Sequence, residues 1–389
     1  MTNPIYLDGF ATLPLAPEAK EAMLSAWTTP GNAGSPNLAG EQAARTIADG
    51  RQSVANLIGA SPAEITFTSG ATEANNLAIL GAARAARRDE PRRNCIIVSA
   101  VEHKAVLEPA LQLRSEGFEV AIAPVDNSGR LDMNAFAKLV NEDVLLASVM
   151  LVNNETGVVQ PIAEAAALAH QSGAFFHTDA AQAAGKIDID VFDLDVDYLT
   201  LSGHKCYGPM GIGALYVSSA APKPFPLVLG GGQQSGIRPG TEPVALIAGF
   251  GAAAKVAKDR LAHDGAHCKS LIDLLLQSLK LRQLRFRQVT GDARTVPGSA
   301  SLQLLGVDAD ELCVRIAPKV SLSTGSACTS GQIKPSHVLE SIGLSDIEAR
   351  GVIRILCNRY QDHGEILAAA AHIAEASGLS SLATGEVPQ

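Results

Sequence analysis

The chain has 389 residues, 47% hydrophobic and 18% charged, which is enough apolar side chain to bury a large core and excludes a disordered polypeptide. A net charge of -9 and 4% aromatic residues leave neither a basic footprint nor base-stacking platforms, so no nucleic-acid partner is expected. Residues 1–8 carry no basic region followed by an apolar run, and the long uncharged stretch 206–222 is broken by Gly, Pro and Ser, so a cytosolic (cytoplasmic) protein without a membrane segment is expected.

In chain order, Ala44, Ile47, Val54 and Ile58 fall on one face of a helix over 41–58, and another amphipathic helix follows Thr72. Short apolar runs bounded by turn residues come next, at 96–98, 120–122, 144–152, 174–176, 198–201 and 212–217, and read as buried strands. Strands alternating with helices predict an α/β unit with a mainly parallel sheet, whose ligands gather at the carboxyl ends of the strands. Beyond about residue 252 the pattern changes to one long helix, strands near 299–304 and 352–356, and a terminal helix. Asp362 and Glu365 open that last helix at capping-box spacing, and Ile366, Ala369, Ala370 and Ile373 share one of its faces. The expectation is a large domain over 14–250 and a smaller one made of 1–13 and 251–389.

Three strand ends carry chemistry. Phe67-Thr68-Ser69-Gly70-Ala71-Thr72-Glu73-Ala74 leaves a strand and opens a helix, where backbone N–H groups and the Thr72 hydroxyl can hold an anion; alone, it reads equally as a capped turn. It lacks the GxxxxGK[ST] spacing of nucleotide triphosphatases. Thr200-Leu201-Ser202-Gly203-His204-Lys205 ends another strand in hydroxyls, a histidine and a lysine, and His177-Thr178-Asp179-Ala180-Ala181-Gln182 ends a third in an acid and an amide. A lysine at a strand end is more often a solvated surface residue. Together, however, these segments supply the three parts of a pyridoxal phosphate site: a Schiff-base lysine, a carboxylate to keep the pyridine nitrogen protonated, and hydroxyls with backbone N–H groups for the phosphate. The six cysteines include no CxxC pair, so neither a zinc site nor a disulfide framework is expected, and all but Cys328 read as buried small hydrophobes.

Six segments in order strongly resemble the cysteine desulfurases of the NifS/IscS type: Gly70-Ala71-Thr72-Glu73-Ala74-Asn75-Asn76, Glu102-His103-Lys104-Ala105-Val106, Asn153-Asn154-Glu155-Thr156-Gly157, His177 to Gln182, Ser202-Gly203-His204-Lys205, and Ser323-Thr324-Gly325-Ser326-Ala327-Cys328-Thr329-Ser330-Gly331. The resemblance runs from Tyr6 to about Arg359. It implies a homodimeric, pyridoxal phosphate-dependent class V aminotransferase of fold type I, with a mainly parallel seven-stranded sheet in the large domain and a smaller α+β C-terminal domain. It also implies that Lys205 is the Schiff-base lysine and that Asp179 pairs with the pyridine nitrogen. Gln182 would bond the ring hydroxyl and His103 would stack on the ring and assist proton transfer. Ala71, Thr72, Ser202 and His204 would hold the phosphate, with Thr241 reaching in from the partner subunit. Asn154 and Arg354 would clamp the substrate carboxylate, a role suited to a planar guanidinium. Cys328 would take sulfur from L-cysteine as a persulfide, releasing L-alanine, for delivery to an acceptor protein in iron-sulfur cluster assembly or in thiolation of a cofactor or tRNA.

The sequence departs from the family pattern in three places. Gly9 and Phe10 replace two asparagines near the expected substrate entrance, Gln234-Ser235 replaces a Glu-Arg pair, and the serine common after the clamp arginine is missing after Arg354. The segment after Leu379 is shorter than the tail with which housekeeping members dock the iron-sulfur scaffold, which leaves the acceptor open. Alternatives within the resemblance are a selenocysteine lyase or a cysteine C-S lyase; outside it, an idle homologue acting as a scaffold.

Overall fold

The structure is a computed structural model that describes residues 4–324 and 336–378. After β1 (Ile5–Tyr6), seven strands build one sheet: β2 (Ile65–Thr68), β3 (Cys95–Ser99), β4 (Glu119–Ala123), β5 (Val144–Ser148), β6 (Phe175–Asp179), β7 (Tyr198–Ser202) and β8 (Gly213–Val217). Their order is β2-β8-β7-β6-β5-β3-β4, and only β8 runs antiparallel to its neighbours. The strands at the centre are buried along their whole length, as β3, β5 and β7 show, because helices cover both faces. The helix Leu38–Leu57 is one of those covers, burying Ala43, Ile47 and Val54.

The apolar run over 144–152 yields a strand that stops at Ser148. Val149 and Leu151 still donate to the carbonyls of His177 and Asp179, but the Met150 N–H turns to the Glu102 carboxylate at 2.6 Å, so the ladder on the other side ends.

A second, antiparallel sheet joins β9 (Phe286–Gln288), β10 (Ser299–Leu304), β12 (Ser323–Thr324) and β13 (Val352–Leu356) in the order β12-β13-β10-β9, while β11 (Val320–Ser321) pairs in parallel with β1. The terminal helix His363–Ala376 has the expected capping box, with Glu365 N donating to Asp362 and Asp362 N to Glu365, and buries Ile366, Ala369, Ala370 and Ile373. One helix, Val244–Leu281, serves both sheets: Ile247, Phe250, Ala254 and Ala257 enter the core of the large sheet, whereas Leu271, Ile272, Leu275 and Leu279 enter that of the small one. Its 38 residues extend roughly 57 Å. Among the described residues no helix is long and apolar enough to cross a membrane.

Candidate active site

The carboxyl ends of β2, β3, β5, β6 and β7 open into one cavity of about 690 Å³. Ala71, Thr72, His103, Asn154, Asp179, Gln182, Ser202, His204, Lys205 and Arg354 all line it, so ten positions scattered over nearly 300 residues of sequence meet there. Thr241 does not: it is exposed and lies beside a separate groove with Arg51 and Glu242. Cys328 lies outside the described residues.

Asp179 ends β6 and is 5% exposed. Its Oδ2 accepts from Asn75 Nδ2 at 2.7 Å and its Oδ1 from Ala181 N at 2.9 Å, so two donors fix the plane of the carboxylate. Asn75 was not singled out from sequence: the pairing spans 104 residues, and nothing local to the Asn75-Asn76 pair announces it. Nearby, Gln182 Nε2 donates to Phe10 O at 2.9 Å. Asn75 Oδ1 and Gln182 Oε1 are buried with no hydrogen-bond partner, and both side chains line the cavity. Buried oxygens of this kind call for a donor the protein does not supply.

The turn after β2 has Gly70 at φ 154, in the region that glycine favours, followed by the helix Ala71–Asn76. The first N–H groups of such a helix have no intrahelical acceptor. On the β8 side, a Cβ on Gly213 would stand 2.7 Å from the Gly70 carbonyl carbon and 2.7 Å from Leu201 O, so only glycine lets β8 pack against this turn. Burial above all, then the charges of Lys205 and Lys186, pushes the His204 imidazole down to about 4, which leaves it neutral near pH 7. A polar ring with an anionic group fits this donor set: a carboxylate held by two donors, two orphaned amide oxygens, open helix N–H groups and hydroxyls.

His103 caps the helix Lys104–Gln112, its Nδ1 accepting from Ala105 N at 3.0 Å. The neutral ring therefore carries its proton on Nε2. Burial holds His103 below its ordinary range, with Asp179 opposing the shift. Behind it, Glu102 is fully buried, accepts from Ser99 Oγ and Met150 N, and is pushed up to about 8 by burial.

Lys205 sits in a one-turn helix, Gly203–Lys205, immediately after β7. Its Nζ donates to Ala11 O at 2.8 Å and to Phe10 O. The departure at Gly9-Phe10 thus acquires a structural account. The Phe10 side chain is 1% exposed and belongs to the core, and a Cβ on Gly9 would come within 2.6 Å of Leu356 O. The backbone carbonyls of Phe10 and Ala11 face the lysine amine.

Arg354, on β13, is 3% exposed. It donates from Nε to Ser323 Oγ at 3.1 Å, from Nη1 to Asn154 O at 3.2 Å, and from Nη2 to Asp8 Oδ1 at 3.5 Å, joining the small sheet to the cavity wall. The second departure also has its compensation: Gln234 accepts from Arg51 Nη1 and Phe67 N, each at 2.9 Å, and donates to Glu242, bridging charges where the resemblance implies a charge pair. Of the five described cysteines, Cys95, Cys206, Cys268 and Cys357 are buried and Cys313 is half-buried. Burial raises every one of their thiols, Cys206 and Cys268 to about 11 and Cys313 to about 12, so none is a ready nucleophile near neutrality. Among the described residues no group of three His, Cys, Asp or Glu side chains could hold a metal ion.

Residues 5–368 match the family model of aminotransferase class V. The chain is 41% identical over 370 residues to a mitochondrial cysteine desulfurase of Eremothecium gossypii, covering 94% of this chain and 74% of that one. It is 40% identical over 370 residues to the cysteine desulfurase IscS of Rickettsia massiliae, covering 94% and 89% respectively. Among solved structures, a NifS-like protein superposes with a TM-score of 0.89 at 32% identity, over 98% of this chain and all of the other. The chain therefore belongs to the class V aminotransferase family, within its cysteine desulfurases of the NifS/IscS type.

Proposed function

We propose that this cavity binds pyridoxal 5'-phosphate and removes sulfur from L-cysteine, giving L-alanine and a persulfide on Cys328. The observation that carries the reading is the convergence of Asp179, Lys205, the Gly70–Thr72 turn and Arg354 in one cavity. When bound, the cofactor supplies an electron sink for charge that develops on the substrate. Asp179, its carboxylate oriented by Asn75 and Ala181, would hold the pyridine N–H, and Gln182 the ring hydroxyl. Ala71, Thr72, Ser202 and His204 would hold the phosphate. His103, neutral and bearing its proton on Nε2, would pack on the ring and assist proton transfer. The Lys205 amine would bind the cofactor aldehyde and carry protons at Nζ. Arg354 would hold the substrate carboxylate beside Asn154.

Cys328, as a thiolate, would attack the substrate sulfur: an S–S bond forms, the Cβ–S bond breaks, and Cβ takes up a proton to leave L-alanine. The high proton affinity of the five described thiols supports giving this role to Cys328. The exposed position of Thr241, outside its own cavity, supports its lending to a partner subunit in a homodimer. The sulfur acceptor is a protein of iron-sulfur assembly or of cofactor or tRNA thiolation, met in the cytosol. The separate cores of the two sheets support a division into 14–250 and 1–13 with 251–389, joined by the helix Val244–Leu281, although Phe10, Ala254 and Ala257 pack into the larger core.

The test is product analysis on cofactor-loaded protein given L-cysteine and a reducing thiol. Equal alanine and sulfide in the parent, lost in Cys328→Ala, is the expected result, together with loss of the visible cofactor absorbance in Lys205→Ala. Pyruvate in place of alanine, or sulfide release at the parental rate from Cys328→Ala, would assign a C-S lyase instead.

A further inference from the structure

Lys186 does not line the main cavity; it borders a second, small space of about 20 Å³ shared with Tyr207, Asp264, Cys268 and Cys357. Its Nζ donates to the backbone carbonyl of Lys205 at 2.7 Å. That carbonyl lies within a tight turn closed by Gly203 O, to which Cys206 N and Gly208 N both bond back, and Tyr207 adopts φ 58, a left-handed conformation costly for a bulky side chain.

Such a turn persists only if its surroundings hold it. Tyr207 is held on several sides. The Arg359 guanidinium lies 3.7 Å from the ring centroid, Arg359 N donates to the Tyr207 hydroxyl at 3.0 Å, and Arg359 Nε lies 2.8 Å from the buried Asp264 carboxylate. Ala16 N donates to Tyr207 O at 2.9 Å. For the Lys205–Cys206 peptide, the Cys206 N–Gly203 O bond holds the N–H side and Lys186 holds the carbonyl side. Burial pushes the Lys186 amine down to about 7, as befits a group taken from water and given a protein acceptor.

We infer that Lys186 is a positioning residue for Lys205: by holding the Lys205 carbonyl from outside the cavity, it fixes the direction in which the Lys205 side chain enters. The inference rests on the reading of Lys205 as the cofactor lysine. Removing the donor leaves that peptide held on its N–H side by the Cys206 N–Gly203 O bond but takes away the tie on its carbonyl side, so the lysine amine loses part of its registration with the cofactor.

The experiment compares the parent, Lys186→Met, Lys186→Gln and Lys205→Ala, each loaded with pyridoxal 5'-phosphate. The readouts are visible absorbance as a function of pH, cofactor dissociation, kcat and KM for L-cysteine, and thermal midpoint. The net worth of one hydrogen bond corresponds to about a tenfold change in an equilibrium, so in Lys186→Met the absorbance midpoint moves by about one pH unit and kcat falls about tenfold, with KM within about twofold. Should Lys186→Met not fold, Lys186→Gln, whose donor is one bond shorter, gives the intermediate shift; parental values there overturn the inference. A Lys186→Met protein with lowered thermal midpoint but parental absorbance midpoint and kcat also overturns it, since Lys186 is then merely structural. Absorbance that survives in Lys205→Ala removes the reading of Lys205 and this inference with it. Absorbance that depends on Lys205 but ignores Lys186 removes the inference alone.

Discussion

His170→Gln gives a stability difference whose sign with pH follows from the geometry. His170 Nε2 lies 2.9 Å from Asp197 Oδ2 and Nδ1 lies 3.1 Å from Asp195 Oδ2. The hydrogen bond to Asp197 first, and Asp195 behind it, pushes the imidazole up from 6.5 to about 9. A folded-state pKa above the unfolded one means that the imidazolium stabilises the native state. The contribution is complete below about pH 6.5 and is lost as pH rises through about 9. At 1.36 kcal/mol per unit the shift caps the effect at about 3 kcal/mol, and because the ring is 29% exposed, solvent screening leaves about 1–2 kcal/mol. Asp197 also accepts from Phe176 N at 2.8 Å, so the ion pair braces the start of β6, the strand that ends at Asp179. Denaturant midpoints of parent and variant, measured at about pH 6, 8 and 10, should differ most at the lowest value and converge at the highest. A difference that stays constant across that range would refute the ion-pair argument.

Two predictions concern the cavity. Gly213→Ala forces a Cβ to 2.7 Å from the Gly70 carbonyl carbon and should raise the cofactor dissociation constant at least about tenfold in a folded protein; absorbance titration at the parental value would exclude Gly213 as a support of the phosphate turn. Arg354→Lys keeps the charge but loses the fork that spans Ser323 and Asn154, so KM for L-cysteine should rise about tenfold; an unchanged KM would dismiss the clamp.

What could be read from sequence was set by locality. Strands buried on both faces, such as Cys95–Ser99 and Tyr198–Ser202, are continuous apolar runs and stand out against their flanking turns. Phe286–Gln288 has one half-buried and two exposed residues and gives no such signal, and Ile5–Tyr6 is too short to show a period. The long helix begins at Val244, earlier than the change of pattern near 252, because its first turns still pack on the large sheet. Among site residues, the motifs stand out in the sequence but the role of each member does not. Asn75, Glu102 and Lys186 were passed over because their partners are Asp179, Met150 and a backbone carbonyl of Lys205, pairings that exist only once the sheet is assembled.

The parallel pairing of β1 with β11 fixes a timetable for synthesis. Residues 5–6 leave the ribosome more than 300 residues ahead of the strand that receives them, residues 320–321. Asp8 likewise waits for its bridge to Leu356. Until then the carbonyls of Phe10 and Ala11 have no fixed place beside Lys205, so a nascent chain holds an assembled central sheet while one wall of its cavity is still open. A segment made early thus docks late, and the cavity wall that it supplies depends on residues made more than 300 positions later.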